Sequence, residues 1–273
     1  MQSFGVPGLG TIPIVPDLEG RRVLITGGSA GIGKACALAF DTNGCKVAIV
    51  GRRRERLDAV AIQMKDALPI VADLSGGDAE MQRVIYETIQ GLGGLDIIVN
   101  NGAGSTDLMR EGTAEQAILS AIQLHVTSCL ALVRAAEEEL IRNKGAVVNI
   151  SSTAARVPRG GNPAYGVAKA AQDRLTQDLA FELAPKGVRV NSVLPAAVRT
   201  EVFETFAHQQ GKGVDDVMQN FAPYHVMDRV GDPNEIAAAV VFLASNAASF
   251  ITGVNLPVDG GLLLGFWANK TGP

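Results

Sequence analysis

The sequence is poor in aromatic residues, cysteine and histidine. Aromatic residues make up only 5% of the 273-residue chain, so we expect a core of Val, Ile, Leu and Ala, as in a buried parallel sheet. The three cysteines are odd in number and lack metal or redox spacing, and we expect buried thiols in a reducing cytosol. His208 and His225 have no evident partner and are expected at the surface. We therefore predict no metal site.

The chain also lacks an excess of one charge and a long hydrophobic run. Its formal net charge is −4 with both signs mixed, which favours neither nucleic acid nor a membrane as partner. No apolar run approaches the roughly 18 residues of a membrane span. Residues 1–17 resemble neither a secretory signal nor a transit peptide, since the first positive charge is Arg21. We expect a cytoplasmic protein with a flexible or surface-lying arm at 1–17.

What the chain does contain is a regular alternation of short β-branched runs and helical stretches. This pattern predicts an α/β fold, namely a Rossmann-type doubly wound sheet of seven parallel strands with helices on both faces. A single domain over residues 18–265, followed by a tail at 266–273, accounts for the length. Residues 201–230 break the alternation and are expected to form a helical excursion. The seven runs are residues 21–27, 46–51, 68–74, 95–101, 145–152, 187–195 and 253–261.

A glycine cluster, "TGGSAGIG" at residues 26–33, follows the first run and opens the first helix. In that position glycines allow a tight turn and let backbone N–H groups approach a pyrophosphate, helped by the helix N-terminus. The alternative is a turn that merely needs small residues. We predict a dinucleotide phosphate site at Gly27, Ser29, Gly31, Ile32 and Gly33.

The stretch "NPAYGVAKAA" places a phenol and an ammonium four residues apart. Pro163 suits a first helical position and Asn162 a cap, so Tyr165 and Lys169 are expected on one helix face. An amphipathic surface pair is the alternative. Ser152 ends the fifth strand, at the sheet edge where parallel α/β proteins bind ligands. The three side chains together are suited to proton transfer at a bound oxygen.

Six motifs occur in an order that resembles the classical short-chain dehydrogenase/reductase family, over residues 18–261. They are "TGGSAGIG", "NNGAG", "NISS", "YGVAK", "NSVLPAAVRT" and "FITGVNLPVDGG". The resemblance implies hydride transfer between a nicotinamide and a carbonyl or secondary alcohol. Tyr165 would be general acid and base, Ser152 would hold the substrate oxygen, and Lys169 would acidify the phenol and bind the nicotinamide ribose. It also implies a homo-oligomer, commonly a tetramer.

We expect the residues that select the cofactor to follow the second strand, in "VGRRRERL". Gly51 stands where an acid would select NAD(H), and Arg52, Arg53 and Arg54 follow. Guanidinium groups match phosphate geometry, so NADP(H) is expected to bind in preference to NAD(H). The alternative is a solvated basic helix start.

The resemblance also implies further cofactor contacts. Arg52 would be the main phosphate ligand, with Arg53 beside it, and Asp73 and Leu74 would flank the adenine, although Asp73 also suits a strand-end turn. The remaining contacts would be Asn101 and Gly102 towards the adenosine, and Pro195, Val198 and Thr200 at the carboxamide.

Three departures from the family pattern concern the substrate side. The family's "NNAG" appears here as "NNGAG", and Ala196 replaces a glycine after Pro195. His125 takes the place of an asparagine that holds a relay water behind the lysine. It is either a core histidine or a relay residue, and in the second case the activity would depend on pH near the usual pKa of imidazole. It is expected to share a helical stripe with Ile118, Ile122, Cys129 and Leu132.

Residues 201–230 are expected to form a lid over the nicotinamide, with an ordinary packed hairpin as the alternative. Its apolar side chains suggest a hydrophobic substrate: Phe203, Phe206, Val217, Met218 and Phe221. Three functions follow from the sequence. They are an NADP(H)-dependent carbonyl reductase or alcohol dehydrogenase, a C=C reductase of the same fold, and a non-enzymatic cofactor sensor.

Overall fold

A computed structural model describes residues 12–102, 113–158 and 163–268. Its centre is a parallel sheet of seven strands in the order β3-β2-β1-β4-β5-β6-β7. The sheet reverses its winding between β1 and β4, as the predicted Rossmann-type fold requires. The strands are β1 Arg22–Thr26, β2 Lys46–Gly51, β3 Ala67–Val71, β4 Ile97–Asn100, β5 Ala146–Ile150, β6 Arg189–Pro195 and β7 Asn255–Val258.

Helices cover both faces of the sheet, which confirms the predicted fold class. The core on one face includes residues of α1 and α10, and that on the other includes residues of α3, α5 and α7. The α-helices are α1 Gly31–Thr42, α2 Arg54–Ala61, α3 Gly77–Leu92, α4 Ala114–Ile122, α5 Ser128–Ala135, α6 Glu137–Asn143, α7 Pro163–Leu183, α8 Glu201–Gln210, α9 Val214–Gln219, α10 Pro233–Ala244 and α11 Leu262–Ala268.

The central strands are apolar on both sides because both sides are covered. In β1, Val23 and Ile25 join the core on the α1 and α10 face, whereas Leu24 joins the opposite core. All three are fully buried. Side chains alternate along a strand, so a continuous run of branched apolar residues serves two cores at once. This explains how a core with few aromatic residues fills the molecule.

The helical stretch that carries the predicted stripe of Ile118, Ile122, Cys129 and Leu132 is interrupted. Between α4 and α5 lie five π-helical residues, Gln123–Thr127, and α6 is a separate helix. The wider π turn shifts the buried face relative to a 3.6-residue period. Ile118 is therefore 39% exposed while Cys129 and Leu132 are buried, so the predicted stripe is discontinuous.

The same region contradicts the expectation that no apolar stretch is long enough to span a membrane. By length and composition, the helical stretch Ala114–Ala135 would be able to cross a membrane, because it contains a long window without charged residues. In this structure α4 packs against α7, and α5 packs against α3. A core helix of a folded domain passes the same test, and Leu132 and Val133 belong to the core.

The described end of the N-terminal arm contacts the domain. The N–H of Val15 donates to Asn43 Oδ1 at 2.6 Å, and Asp17 Oδ2 accepts from the N–H of Asn246 at 2.8 Å. Leu18, which follows, is 1% exposed. Residues 12–17 are thus laid on the surface of the fold rather than detached from it.

Candidate active site

The glycine turn after β1 forms a cradle without room for side chains. A Cβ on Gly33 would overlap the carbonyl oxygen of Gly27, and Gly27 itself has φ +64°. The helix α1 begins at Gly31 behind Ala30, whose side chain offers no acceptor to the first N–H groups. Ser29 and Ile32 occupy the same turn. The free N–H groups and the bare backbone suit an anionic pyrophosphate.

Asn101 ties this cradle to the end of β4. Its Nδ2 donates to the carbonyl of Thr26 at 3.0 Å, while Thr26 Oγ1 accepts from the N–H groups of Asn101 and Gly102 at 2.9 and 2.8 Å. A Cβ on Gly102 would overlap Leu74 Cδ1. The predicted residues on the adenosine side are therefore in contact with one another.

The arginine run divides into two parts. Arg52 and Arg53 precede α2, are exposed, and form no ion pair within residues 12–102, 113–158 and 163–268. Arg54 opens α2 and pairs with Asp58 at 3.0 Å. All three arginines are exposed and Arg53 is the N-cap residue of α2, so the run fits a solvated basic helix start as well as a phosphate site.

Asp73 does belong to a turn. Its Oδ1 accepts from the N–H and hydroxyl of Ser75 at 2.9 and 2.7 Å. These hydrogen bonds lower the pKa of the Asp73 carboxyl, with a smaller contribution from the charge of Arg52. The turn holds a carboxylate close to Arg52, at the edge of the site expected for the adenosine.

The loop after β6 is held beside the same helix N-terminus. The Cβ position of Gly31 lies 3.1 Å from Thr200 Cγ2. The N–H of Arg199 donates to the carbonyl of Gly231, and the N–H of Gly231 donates to the carbonyl of Ala197. Val198 is buried, and Pro195 is the last residue of β6. The predicted carboxamide contacts thus lie on a backbone-braced loop next to the cradle.

Ser152 lies at the end of β5, where the sequence placed it. It is 6% exposed and caps the short 3₁₀ turn Thr153–Ala155, its Oγ accepting from the N–H of Ala154 at 3.1 Å. This hydrogen bond orients the hydroxyl. The cap uses one acceptor position and leaves the O–H able to donate to a substrate oxygen.

Tyr165 and Lys169 lie on one side of α7, which starts at Pro163 as predicted. The Nζ of Lys169 is 5.7 Å from the centroid of the Tyr165 ring, and the lysine is 4% exposed. The ammonium donates to the carbonyl of Ile150 at 2.7 Å and to Gln172 Oε1 at 2.9 Å. Burial lowers the pKa of Lys169 to about 8. Asn162, the predicted cap, lies outside the described residues.

His125 lies in the π-helical segment and faces the tyrosine. The two rings are nearly perpendicular, with centroids 5.6 Å apart, and the histidine is 1% exposed. Neither ring nitrogen has a hydrogen-bond partner among the residues that the structure describes. Burial, and then the charge of Lys169, lower the pKa of His125 to about 2. Of the two alternatives from the sequence, a core histidine fits this burial, whereas a relay residue that titrates near the usual imidazole pKa does not.

Two other expectations on the substrate side need correction. Phe203, Val217 and Met218 are buried against one another inside the excursion, and so do not line an open inner surface. A helix as short as α9 is stable only when packed against a neighbour.

His225 is 4% exposed, with its Nδ1 2.9 Å from the carbonyl oxygen of Phe221, and is therefore not a surface residue. The Phe206 side chain lies outside the described part of the chain.

Gln172 belongs to no motif in the sequence, yet it binds both Lys169 and the thiol of Cys129, with 3.4 Å from Nε2 to Sγ. Its position, one turn after the lysine, was the available signal. A second omission is a buried polar chain in which Asn100 Nδ2 donates to Asn149 Oδ1 at 2.8 Å, and Asn149 Nδ2 donates to Thr176 Oγ1 at 2.9 Å. All three cysteines are buried and free.

Comparison with known proteins places this geometry in context. A family model described as enoyl-(acyl carrier protein) reductase matches residues 27–263. An uncharacterized oxidoreductase of Mycobacterium tuberculosis is 38% identical over 251 residues, covering 90% of this chain and 93% of that protein.

Two solved structures are also similar. L-sorbose reductase from Gluconobacter frateurii, complexed with NADPH and L-sorbose, has a TM-score of 0.82 and 29% identity, covering 92% of this chain and 98% of that one. A 7α-hydroxysteroid dehydrogenase complexed with NADH and a 7-oxo bile acid has a TM-score of 0.80 and 30% identity, covering 89% and 94%.

Proposed function

The chain belongs to the classical short-chain dehydrogenase/reductase family of hydride-transferring oxidoreductases, and on this premise we propose that it is an NADP(H)-dependent carbonyl reductase or alcohol dehydrogenase. One observation carries the proposal. A buried ammonium, Lys169, is held 5.7 Å from the ring centroid of Tyr165 on the helix that follows β5. A cation so placed stabilises a phenolate and makes the tyrosine a proton donor and acceptor.

Each of the three polar side chains has a separate task. Tyr165 gives a proton to the substrate oxygen during reduction and removes it during oxidation. Ser152, oriented by its bond to the N–H of Ala154, donates a hydrogen bond to that oxygen as charge develops. Lys169 stabilises the ionised phenol and binds the nicotinamide ribose. A nicotinamide cofactor, when bound, supplies or accepts the hydride.

The residues of the cradle fit such a cofactor. The bare backbone at Gly27, Gly31 and Gly33 and the uncapped start of α1 would hold the pyrophosphate. The side chain of Asn101 braces that turn, and Gly102 and Leu74 would contact the adenosine side. Val198 and Thr200, on the braced loop after Pro195, would contact the carboxamide.

The preference for NADP(H) rests on Arg52 and Arg53. Both are exposed ahead of α2 and form no ion pair with the described carboxylates, so their guanidinium groups are free to bind a 2′-phosphate. Asp73 lies close to Arg52 and is engaged with Ser75. Arg54 is already neutralised by Asp58 and is assigned no such role.

His125 is proposed to act as a neutral relay residue. Its ring lies against Tyr165, its charge state is insensitive to pH in the neutral range, and both nitrogens are without partners in the part of the chain that the structure describes. A neutral imidazole has one donor and one acceptor, so it would pass a proton between water and the Lys169 region.

The substrate is proposed to be a small carbonyl compound or secondary alcohol with apolar surface. The excursion exposes large apolar side chains that would border it, namely Val202, Tyr224, Val226 and Met227.

A second candidate function is reduction of a conjugated C=C bond, which is favoured by the description of the matching family model. We also propose a homo-oligomer, either a dimer or a tetramer, because the large apolar side chains of Phe181 and Phe250 are exposed. We propose a reducing cytoplasm as its location because the three cysteines are buried and free.

Turnover assays test this proposal directly. The purified protein is assayed with NADPH or NADH against a panel of ketones, sugars, oxosteroids, β-ketoacyl and enoyl thioesters, and with the oxidised cofactors against secondary alcohols. We expect NADPH-dependent ketone reduction. Turnover confined to enoyl substrates would favour the second candidate. NADPH binding without turnover across the panel would contradict both and leave a cofactor-sensing protein. Size-exclusion chromatography with light scattering measures the oligomeric state.

A further inference from the structure

We propose that Gln172 is the positioning residue for the catalytic lysine: it binds the ammonium of Lys169 through an uncharged oxygen, so that the cation is held in place while its charge continues to act on Tyr165. This inference rests on the proposed function, because it concerns the lysine and tyrosine to which that function assigns proton transfer.

Gln172 is buried and bonded at both ends of its amide. It is 1% exposed on α7, one turn after Lys169. Its Oε1 accepts from Lys169 Nζ at 2.9 Å, and its Nε2 donates to Cys129 Sγ on α5 at 3.4 Å. The amide is thereby oriented by the neighbouring helix, with its oxygen towards the ammonium. An amide bonded at only one end would be free to turn over.

The ammonium has one other bonded acceptor in the described chain, the carbonyl of Ile150 at 2.7 Å. Both acceptors are neutral. They satisfy two of the three N–H groups, and neither carries a charge that would cancel the field of the cation at Tyr165. A buried carboxylate in the place of Oε1 would form an ion pair and screen that field.

Among the described residues, no group facing the ammonium from the surrounding elements forms an ion pair with it. From the π-helical segment comes His125, which burial keeps neutral. From α5 comes the thiol of Cys129, whose pKa is raised by burial. From α7 come Tyr165 and Asp173. The charge of the Asp173 carboxylate acts on Lys169, but this carboxylate is paired with Arg156 at 3.3 Å. No carboxylate among the described residues bonds Lys169 directly.

The substitution Gln172→Glu separates charge from shape, because the two side chains have nearly the same volume. The matched control is Gln177→Glu, which makes the same change at an exposed position of the same helix. The readout is the ionisation of Tyr165 itself, followed by near-ultraviolet tyrosinate absorbance. Subtracting the titration of a Tyr165→Phe protein, made in each background, removes the signals of Tyr86 and Tyr224.

With Gln172→Glu, we expect the midpoint of the Tyr165 titration to rise by about one pH unit, since the new carboxylate cancels the nearby cation. With Gln177→Glu, we expect no change. The midpoint of the pH–kcat profile for alcohol oxidation should move in the same direction and by a similar amount. A folded Gln172→Glu protein with an unmoved Tyr165 titration would overturn the proposal, as would an equal shift in the control.

A second variant, Gln172→Met, keeps the test decisive if the buried glutamate prevents folding. It removes the acceptor and leaves the amine with a single bonded carbonyl. The desolvated amine then loses its proton at lower pH, so the Tyr165 midpoint should again rise, whereas an unchanged midpoint would contradict the proposal. The titration needs neither cofactor nor substrate. Absent turnover in the wild type would therefore refute the proposed function alone, and normal turnover with an unmoved midpoint would refute the role of Gln172 alone.

Discussion

The two halves of the candidate site are built in different ways. The cofactor half, around α1 and β2, is made largely of backbone: glycines too crowded for a Cβ, uncapped N–H groups and a loop braced by main-chain hydrogen bonds. The catalytic half is made largely of side chains, namely those of Tyr165, Lys169 and Gln172 on α7 and His125 in the π-helical segment, joined by the main-chain carbonyl of Ile150. We expect the cofactor half to be sensitive to added side-chain volume, and the catalytic half to be sensitive to changes in side-chain charge.

This difference has a physical origin. A pyrophosphate is recognised by N–H groups that every residue carries, so the requirement on the sequence is mainly the absence of side chains. Proton transfer needs a chosen group with a chosen proton affinity, and that affinity depends on burial and on neighbouring charges. Substitutions in the two halves should therefore fail in distinguishable ways.

The largest effect is expected for Tyr165→Phe, in the catalytic half. Loss of the phenolic proton should lower kcat by about 10²–10⁴-fold, the usual contribution of a general acid or base. Steady-state kinetics with the best substrate of the panel measures it, and NADPH affinity by fluorescence titration should stay close to wild type. Full turnover in this variant would remove the catalytic assignment.

In the cofactor half, Arg52→Ala and Arg53→Ala test the one contribution that depends on side-chain charge. Each lost charge-assisted hydrogen bond should weaken NADPH binding by roughly ten- to a hundredfold and leave NADH binding unchanged. Arg54→Ala is the matched control, because Arg54 is engaged with Asp58. Equal weakening for both cofactors would show that the arginines do not contact the 2′-phosphate.

The backbone character of the cofactor half is tested by Gly33→Ala. The added methyl group would overlap the Gly27 carbonyl oxygen, so we expect the free energy of unfolding to fall by about 1–3 kcal/mol, together with weaker binding of both cofactors. Urea denaturation measures the first effect. The control is Gly231→Ala, where the nearest side-chain atom to the new Cβ is 3.5 Å away. A Gly33→Ala protein as stable as this control would contradict the steric interpretation.

The smallest change in catalysis is expected for His125→Asn. The pKa of His125 is lowered to about 2, so the pH–rate profile between pH 5 and 8 should keep its shape. Stability should respond instead. Below pH 6.5 the unfolded chain binds a proton on this histidine and the folded chain does not, so wild-type stability falls as pH decreases. From pH 7 to pH 5 the wild type should lose about 2 kcal/mol relative to the variant.

The same comparison separates what was predictable from what was not. The seven strands, the cradle and the start of α7 at Pro163 followed from local patterns, in which a residue's neighbours in sequence are also its neighbours in space. The interruption between α4 and α5 did not follow from such patterns, because a π turn changes the helical period without a clear sequence signal. The burial of His225 and the inward packing of Phe203 were missed for a related reason, since both depend on elements that pack against one another.

The amino-acid pattern was enough to predict the family, the parallel sheet and the places of Ser152, Tyr165 and Lys169, because spacing along strands and helices brings such groups to one sheet edge. The surroundings of the ammonium followed only from the packed fold: the carbonyl of Ile150, the amide of Gln172 and the neutral ring of His125. Those neighbours come from separate elements, and desolvation and charge proximity, which set proton affinities, exist only once the elements have packed together.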